Sequence, residues 1–529
     1  MKRLSQLLAF ALGGVVSLAL LQSLSACAQG QGFAVNFDPH ITFSTIDASG
    51  KKESDRFYAA LDKYSNNPGE TVERDHFRDA FRYVRTNYVS EVNDSSVIDA
   101  AIKGVNDLKP TEHGTDPAVL VEAALDSMIS SLDPHSQYLS PDELKERRVF
   151  ASGEFGGLGI QVTMEDGLVK VISPIEGTPA DRAGIKAGDF ISHLDGDPIK
   201  DMALSDAVKI MRGRVGTKIR ITIIREGVKS FDVSITRAVI HVRSVRWRVE
   251  KNIGYIRVSS FTEQTEPGLK EAFAEIKKES GGNIKGYVLD LRNNPGGLLD
   301  QAVILSDMFL DKGEVVSIRP RKKDYSRSYM AEYGDMSDGK PLVVLINEGS
   351  ASASEIVAGA LKDNARAAIM GRRSFGKGSV QTIQQLPLKG ALQLTTALYY
   401  FPSGKSIQAL GVLPDIVIDI PSDDNSGKKQ KTKTSDSKNK DDNTANNTKE
   451  GDGQEKHILR EADLPGSIHA QSNDANKSAA HLDIGSCPGA GIDKKDKELG
   501  CAIAYINSSS TDAFLANMGG SVKSESPAM

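Results

Sequence analysis

The spacing of apolar residues divides the chain into segments with different periods. Residues 73–152 carry a helical period, as in "HFRDAFRYVRTNYV" and "PAVLVEAALDSMISSL", whereas residues 29–72 are polar and show no clear period. Residues 153–238 alternate apolar and polar positions around short turns such as Asp166-Gly167, with one amphipathic stretch, "DAVKIMRG". The pattern predicts an irregular N-terminal segment, a helical region and then a small β-rich domain.

Strands and helices alternate over residues 239–420. "GYVLDLR" and "PLVVLIN" are near-continuous apolar runs, and "PGLKEAFAEIKKES" and "SEIVAGALKDN" have a helical pattern. This order predicts an α/β core with a partly parallel sheet. Residues 421–460 contain almost no apolar residue and are typical of a disordered linker, and residues 461–529 are interpreted as a small C-terminal tail. The chain is therefore an α/β protein with several domains.

The N-terminus predicts export. "MKR" precedes a long apolar run, so residues 1–28 are interpreted as a signal peptide. "ACA" at residues 26–28 fits a cut after Ala28, while "LSAC" at residues 24–27 resembles a bacterial lipobox that would place lipid on Cys27. An uncleaved anchor also remains open, because the run is near membrane-spanning length. The expected location is the periplasm or the cell envelope.

Charge and cysteine content narrow the chemistry. A net charge of −5 gives no argument for nucleic acid as a partner. Cys487 and Cys501 form a lone pair in an exported chain, and we expect them to be disulfide-bonded. No cysteine lies in the predicted core, and neither a Walker loop nor clustered metal-ligand spacing occurs. Thiol catalysis is therefore disfavoured, and no metal or nucleotide cofactor is expected.

Three serines stand at the predicted start of a helix in "NEGSASASEIVAGAL". Ser352 and Glu355 have the spacing of a capping box, so a serine there can be only an N-cap. A helix N-terminus also offers free backbone N–H groups and partial positive charge, which suits a nucleophilic serine and the oxyanion that it creates. The spacing leaves both interpretations open.

A nucleophilic serine needs a base, and no histidine occurs between His241 and His457. A lysine can replace it if burial lowers the lysine pKa by several units from its ordinary value of about 10.4. Lys377 lies between two glycines in "GRRSFGKGSVQ", and Gln381 follows four residues later. The alternative is an exposed loop lysine.

Residues 153–238 resemble a PDZ domain. The resemblance rests on "GGLGI" at residues 156–160 and on "GTPADRAGIKAGDFISHLDG" at residues 177–196. It implies that a peptide C-terminus adds to an edge strand while Gly157, Leu158, Gly159 and Ile160 hold its carboxylate. Arg212, in "MRG", resembles a sensing arginine of some related enzymes, and a solvated arginine at a helix end is the alternative.

The segment "GSASASEIVAGALKDNARAAIMGRRSFGKGSVQ" closely resembles carboxyl-terminal processing peptidases, the PDZ-containing S41 serine proteases. "SSLDPHSQYL" and "LDLRNNPGGLL" extend the resemblance over about residues 75–420. It implies a Ser-Lys peptidase core with crotonase/Clp-like layers. In that core Ser352 would be the nucleophile, Lys377 the base and Gln381 its support. The backbone amides of Gly297 and Ala353 would form the oxyanion hole.

The expected function is therefore that of an exported serine endopeptidase that cleaves proteins near or from their C-terminus. Expected partners are protein or peptide substrates with free C-termini, and membrane association, a homo-oligomer and an adaptor protein remain open. A non-catalytic PDZ scaffold is the first alternative, but the serine, lysine and glutamine are all present. A crotonase-like acyl-thioester enzyme is the second, but it explains neither the PDZ insertion nor the export signal.

Overall fold

The computed structural model describes residues 46–419, 459–469 and 478–524. The predicted signal peptide, Cys27 and nearly all of the predicted linker lie outside these ranges. None of the helices in the described ranges combines the length and the apolar character needed to cross a membrane.

The N-terminal region is a group of helices, and it begins earlier than predicted. Residues 48–64 form a helix, so the prediction of an irregular segment over residues 29–72 is wrong there. The buried face of this helix includes Gly50 and Ser54 beside Phe57 and Leu61, which made its apolar period too weak to recognise. Phe57 stacks on Phe77 with ring centroids 3.8 Å apart, which anchors the helix in the core. The helices of this region are α1 (Ala48–Tyr64), α2 (Thr71–Asn87), α3 (Asp94–Asp107), α4 (Pro117–Ser130) and α5 (Pro141–Ser152).

The predicted PDZ domain is built on an antiparallel sheet with strand order β3-β4-β5-β7-β8, and β6 pairs with β5. The predicted hairpin is present, because Glu165 pairs with Leu168 and both intervening residues, Asp166 and Gly167, have positive φ. Strand β3 lies at one edge of the sheet, where another strand can be added. The elements are β2 (Glu154–Gly157), β3 (Ile160–Glu165), β4 (Leu168–Pro174), α6 (Pro179–Arg182), β5 (Phe190–Leu194), β6 (Asp197–Pro198), α7 (Leu204–Met211), β7 (Lys218–Arg225), β8 (Val228–Thr236) and β9 (Ala238–His241).

The core contains the predicted partly parallel sheet, with strand order β10-β11-β12-β15-β16-β19-β20-β21. Its last two strands, β20 (Ser478–Asp483) and β21 (Ser521–Ser524), come from the C-terminal segment. The five pairs from β11 to β20 are parallel and the two outer pairs are antiparallel. Three helices, α8, α9 and α10, cover one face with a large apolar cluster. The elements are β10 (Val245–Glu250), β11 (Ile253–Val258), α8 (Thr265–Glu279), β12 (Gly286–Asp290), α9 (Leu299–Asp307), β15 (Leu342–Ile346), α10 (Ala353–Asp363), β16 (Ala368–Gly371) and β19 (Ile416–Asp419).

A second sheet, which the sequence did not predict, links the core to the helical region. Its strand order is β1-β18-β13-β14, and β17 also pairs with β18. All of its pairs are antiparallel. Because β1 comes from the segment "LDPHSQYL", this sheet brings that segment beside the core. The strands are β1 (Gln137–Leu139), β13 (Glu314–Pro320), β14 (Arg327–Met330), β17 (Ser379–Gln385) and β18 (Ala391–Tyr400).

The C-terminal segment is part of the core rather than a thin tail. Two of its strands extend the main sheet, and one helix covers the sheet face opposite α8, α9 and α10. Cys487 and Cys501 are joined by a disulfide within this second apolar cluster. A long polar stretch separates the segment from the rest of the core along the chain, so local pattern could not place it there. The elements are β20 (Ser478–Asp483), α11 (Lys497–Ile506), α12 (Thr511–Met518) and β21 (Ser521–Ser524).

Candidate active site

Ser352 occupies a tight turn between β15 and α10. It is the N-cap residue of α10, and its φ of 55° with ψ of −112° is a conformation that residues with a side chain seldom adopt. Such strained positions concentrate at functional sites, where the surrounding structure maintains them. Ser352 is also half-exposed, whereas Ser350 and Ser354 are completely buried.

The two buried serines have structural roles. Ser350 Oγ donates a hydrogen bond to the carbonyl oxygen of Leu291 at 2.8 Å. Ser354 Oγ donates to the carbonyl oxygen of Asn294 at 2.9 Å. Both bonds tie the serine turn to the loop after β12, which leaves Ser352 as the serine that can face a substrate.

The glycines of the same loop pack directly against the serine turn. A Cβ atom on Gly296 would lie 2.9 Å from Ser352 Cβ, and one on Gly297 would lie 2.1 Å from the carbonyl oxygen of Phe261. Gly297 also has a φ of 144°, which strongly favours glycine. Neither Gly297 N–H nor Ala353 N–H donates a hydrogen bond to another residue in the described ranges. These two amides are therefore available to a ligand.

A buried carboxylate connects the turn to the loop that carries Lys377. Glu355 Oε2 accepts hydrogen bonds from the backbone N–H groups of Ser352 at 2.7 Å and Lys377 at 2.9 Å. Oε1 accepts from Ser374 Oγ and from Gly376 N, both at 2.6 Å. Burial raises the pKa of Glu355 to about 7, against these four donors, which lower it. The sequence predicted the capping contact between Ser352 and Glu355, which is one of the four hydrogen bonds that Glu355 accepts. It did not predict the hydrogen bond from the backbone of Lys377.

Lys377 is half-buried. Burial lowers the pKa of its amine, a neighbouring Arg147 adds to this effect, and the carboxylates of Glu461, Asp133 and Glu355 oppose it. Within the described residues, no hydrogen bond joins Lys377 Nζ to Ser352 Oγ. Such contacts often form only when substrate is bound.

Gln381 lies four residues after Lys377 and is held by a hydrogen-bond network that the sequence analysis missed. It follows a shift in the register between β17 and β18, and such irregularities redirect side chains. Its Nε2 group donates to Ser379 Oγ at 2.9 Å and to Thr395 Oγ1 at 3.3 Å, which leaves its carbonyl oxygen to accept a hydrogen bond. Thr395 Oγ1 in turn donates to the buried carboxylate of Asp133 at 3.0 Å. The segment "LDPHSQYL" therefore supports the Lys377 side of the site.

The predicted peptide-binding loop of the PDZ domain lies at the start of the edge strand β3. Gly157 ends β2, Leu158 is buried and Ile160 begins β3. Gly159 has a φ of 80°, and a Cβ atom there would lie 2.3 Å from the Cβ of Thr178. Only glycine therefore fits at this position of the loop.

Arg212 connects the PDZ domain to α5 of the preceding region. Its Nη1 contacts Glu146 Oε2 at 2.6 Å, and its guanidinium carbon lies 4.7 Å from the centre of the Phe155 ring. Arg212 therefore has an ion-pair partner rather than being only solvated.

Comparisons with known proteins identify the family of the chain. The PDZ domain model matches residues 156–235, and the model of peptidase family S41 matches residues 252–418. Fold and site thus define a serine peptidase that carries a PDZ domain. The "Carboxy-terminal-processing protease" of Bartonella bacilliformis is 52% identical over 347 residues, which span 65% of this chain and 75% of that protein. The chain belongs to peptidase family S41 and is a carboxy-terminal processing serine protease.

Two further proteins are similar. The "Carboxy-terminal processing protease CtpA" of Bacillus subtilis is 35% identical over 349 residues, 66% of this chain and 69% of that protein. The solved structure of a photosystem II D1 C-terminal processing protease has 31% identity, covers 66% of this chain and 94% of its own, and gives a TM-score of 0.42. The predicted family and class of enzyme are confirmed, and the interpretations as a scaffold or an acyl-thioester enzyme are not supported.

Proposed function

We propose that Ser352 is the nucleophile and Lys377 the general base of this protease, with Gln381 supporting the lysine. The observation that carries the proposal is the buried Glu355 carboxylate, which binds the backbone of both residues and fixes one turn against the other. The lowered pKa of Lys377 supports it as well, because a general base must be neutral at working pH.

The proposed reaction begins when neutral Lys377 accepts the proton of Ser352 Oγ as that oxygen attacks a peptide carbonyl. The amides of Gly297 and Ala353 donate hydrogen bonds to the oxyanion that develops on the carbonyl oxygen. Protonated Lys377 then gives its proton to the leaving amine, and the C–N bond breaks. Water, deprotonated by the same lysine, hydrolyses the serine ester and releases the second product.

Substrate selection is assigned to the PDZ domain, over residues 153–238. A substrate C-terminus would add as a strand to the edge of β3, and the loop at residues 157–160 would hold its carboxylate. We assign the peptidase core to residues 239–420 together with residues 478–524, because both contribute strands to one sheet. The apolar N-terminal run supports export to the periplasm or envelope.

The test compares Ser352→Ala with Ser509→Ala, which changes an exposed serine, in hydrolysis of an unfolded protein substrate. The proposal expects Ser352→Ala to be folded and inactive and Ser509→Ala to be as active as the wild type. Mass spectrometry of the products would show cleavage near the substrate C-terminus. Turnover at the wild-type rate by purified Ser352→Ala would contradict the assignment.

A further inference from the structure

A short segment of this chain, residues 459–469, lies against the loop that carries Lys377. The backbone N–H of Glu461 donates to the carbonyl oxygen of Phe375 at 3.1 Å. Gln408 Nε2 donates to the carbonyl oxygen of Ile468 at 3.1 Å. Phe375 is two residues before Lys377, so the segment is held beside the proposed base.

Glu461 places its carboxylate in a closed position. The residue is completely buried and begins a short 3₁₀ turn, Glu461–Asp463. His135 Nε2 lies 2.8 Å from Oε2 and 3.0 Å from Oε1, and Gln408 Nε2 donates to Oε1 at 2.9 Å. Because burying a carboxylate is unfavourable without such partners, these contacts explain why the carboxylate is tolerated there.

The two groups that hold this carboxylate are positioned independently of the segment. The backbone N–H of His135 donates to Asp133 Oδ1 at 2.9 Å, and its carbonyl oxygen accepts from Gln393 Nε2 at 3.0 Å. Gln408 Oε1 accepts from the backbone N–H of Gly378 at 2.9 Å. The core therefore presents one ring nitrogen, His135 Nε2, and one amide nitrogen, Gln408 Nε2, toward the same point. A binding site for a carboxylate has this arrangement.

The same point lies within electrostatic reach of the proposed base. Glu461, Asp133 and Glu355 favour the charged form of the Lys377 amine, while burial and Arg147 favour the neutral form. Among these charged groups Glu461 has the largest effect. A carboxylate in this position therefore opposes the neutral state that the proposed mechanism requires.

We propose that His135 and Gln408 form a carboxylate-binding subsite beside Lys377 and that Glu461, carried on residues 459–469, occupies it as an internal inhibitor of the protease. The inference rests on the proposed function, because an occupied subsite affects turnover only if Lys377 is the base.

The first test uses the full chain with Glu461→Gln, and Glu279→Gln as a control that removes an exposed carboxylate on α8. Loss of one charged hydrogen-bonding group weakens a contact by about tenfold or more. We expect kcat/KM on an unfolded protein to rise about tenfold in Glu461→Gln and to stay unchanged in Glu279→Gln. A Glu461→Gln protein that is no faster than the wild type would overturn the proposal.

The second test measures binding, and it does not depend on catalysis. A fluorescent peptide of residues 459–469, "LREADLPGSIH", is titrated into the Glu461→Gln protein and followed by anisotropy. Both of its ends are blocked so that the PDZ domain cannot hold a terminal carboxylate. The peptide should bind and should slow turnover of substrate, and the same peptide with Glu461→Gln should bind about tenfold more weakly. Equal affinity of the two peptides would refute the subsite.

The outcomes separate the two proposals. If no protein shows turnover that depends on Ser352, the proposed function fails, and the anisotropy still decides whether the subsite exists. If turnover depends on Ser352 but neither Glu461→Gln nor the two peptides differ as expected, only the subsite is refuted.

Discussion

Replacing Glu355 by glutamine tests how the buried carboxylate holds the site. The carboxylate accepts from four donors, two on each oxygen. A glutamine has one acceptor oxygen, and its NH₂ group would face two donors in either orientation of the amide. Each buried donor left without an acceptor costs about 1–3 kcal/mol. The variant should therefore be less stable than the wild type.

The size of this difference should depend on pH in a defined direction. In the folded chain the pKa of Glu355 is raised to about 7 from an ordinary 4.5, with burial as the cause. Between these values the folded protein binds a proton that the unfolded chain does not, so the wild-type free energy of unfolding falls as pH rises through this window. The shift corresponds to a loss of about 3 kcal/mol, and glutamine has no such slope. The difference in the free energy of unfolding between wild type and Glu355→Gln should therefore narrow by about 2.5 kcal/mol between pH 5 and pH 8.

Urea unfolding at several pH values measures this difference. Trp247 is the single tryptophan and packs against the large core cluster, so its fluorescence reports unfolding of the peptidase core. Glu279→Gln is the control, because it removes an exposed carboxylate of the same type. If the difference in the free energy of unfolding between wild type and Glu355→Gln is constant or widens as pH rises, the reasoning is wrong. That result would show that the four donors lower the pKa of Glu355 by more than burial raises it.

Two further predictions concern the loop after β12 and the C-terminal segment. Gly297→Ala should reduce kcat by about a hundredfold or more, because the added Cβ would clash with Phe261 and displace a proposed oxyanion donor. Circular dichroism checks that the variant is folded. Turnover by the folded variant within a few-fold of the wild type would exclude Gly297 as an oxyanion donor. Replacing Cys487 and Cys501 together by serine should lower the free energy of unfolding by about 3 kcal/mol, measured by Trp247 fluorescence. Equal free energies of unfolding for the wild type and this variant under non-reducing conditions would argue against the disulfide.

Local sequence pattern predicted those elements whose signal is local. "GYVLDLR" and "PLVVLIN" contain β12 and β15, and the Asp166-Gly167 turn joins β3 and β4. These elements could be predicted because a strand buried on both faces and a two-residue turn each require particular residue types at a few neighbouring positions. Helix α1 was missed because half of its buried face is small or polar. The serine turn was located by pattern, but spacing alone left its N-cap and nucleophile interpretations open.

Local sequence pattern could not predict contacts between distant parts of the chain. Asp133 meets Thr395 across 262 positions, and Arg292 binds Glu498 across 206, so neither pair has a periodic or motif signal. The Arg292 contact also fastens the C-terminal helix α11 to the loop that carries Gly297. The placement of Glu461 against His135 depends on the same kind of long-range packing. The resemblance to a family identified which serine and lysine to examine, and the fold showed what surrounds them.

The central claim, that Lys377 acts as a neutral base, is tested most directly by comparing Lys377→Arg with Lys377→Ala. Burial lowers the pKa of Lys377, so wild-type kcat/KM should rise with pH and level off below the ordinary lysine range near 10.4. A guanidinium stays protonated at these pH values, so arginine cannot accept the proton of Ser352. Turnover of an unfolded protein is measured for both variants, with circular dichroism to confirm folding. The account predicts two folded, inactive proteins, and a folded Lys377→Arg enzyme with wild-type turnover would contradict it.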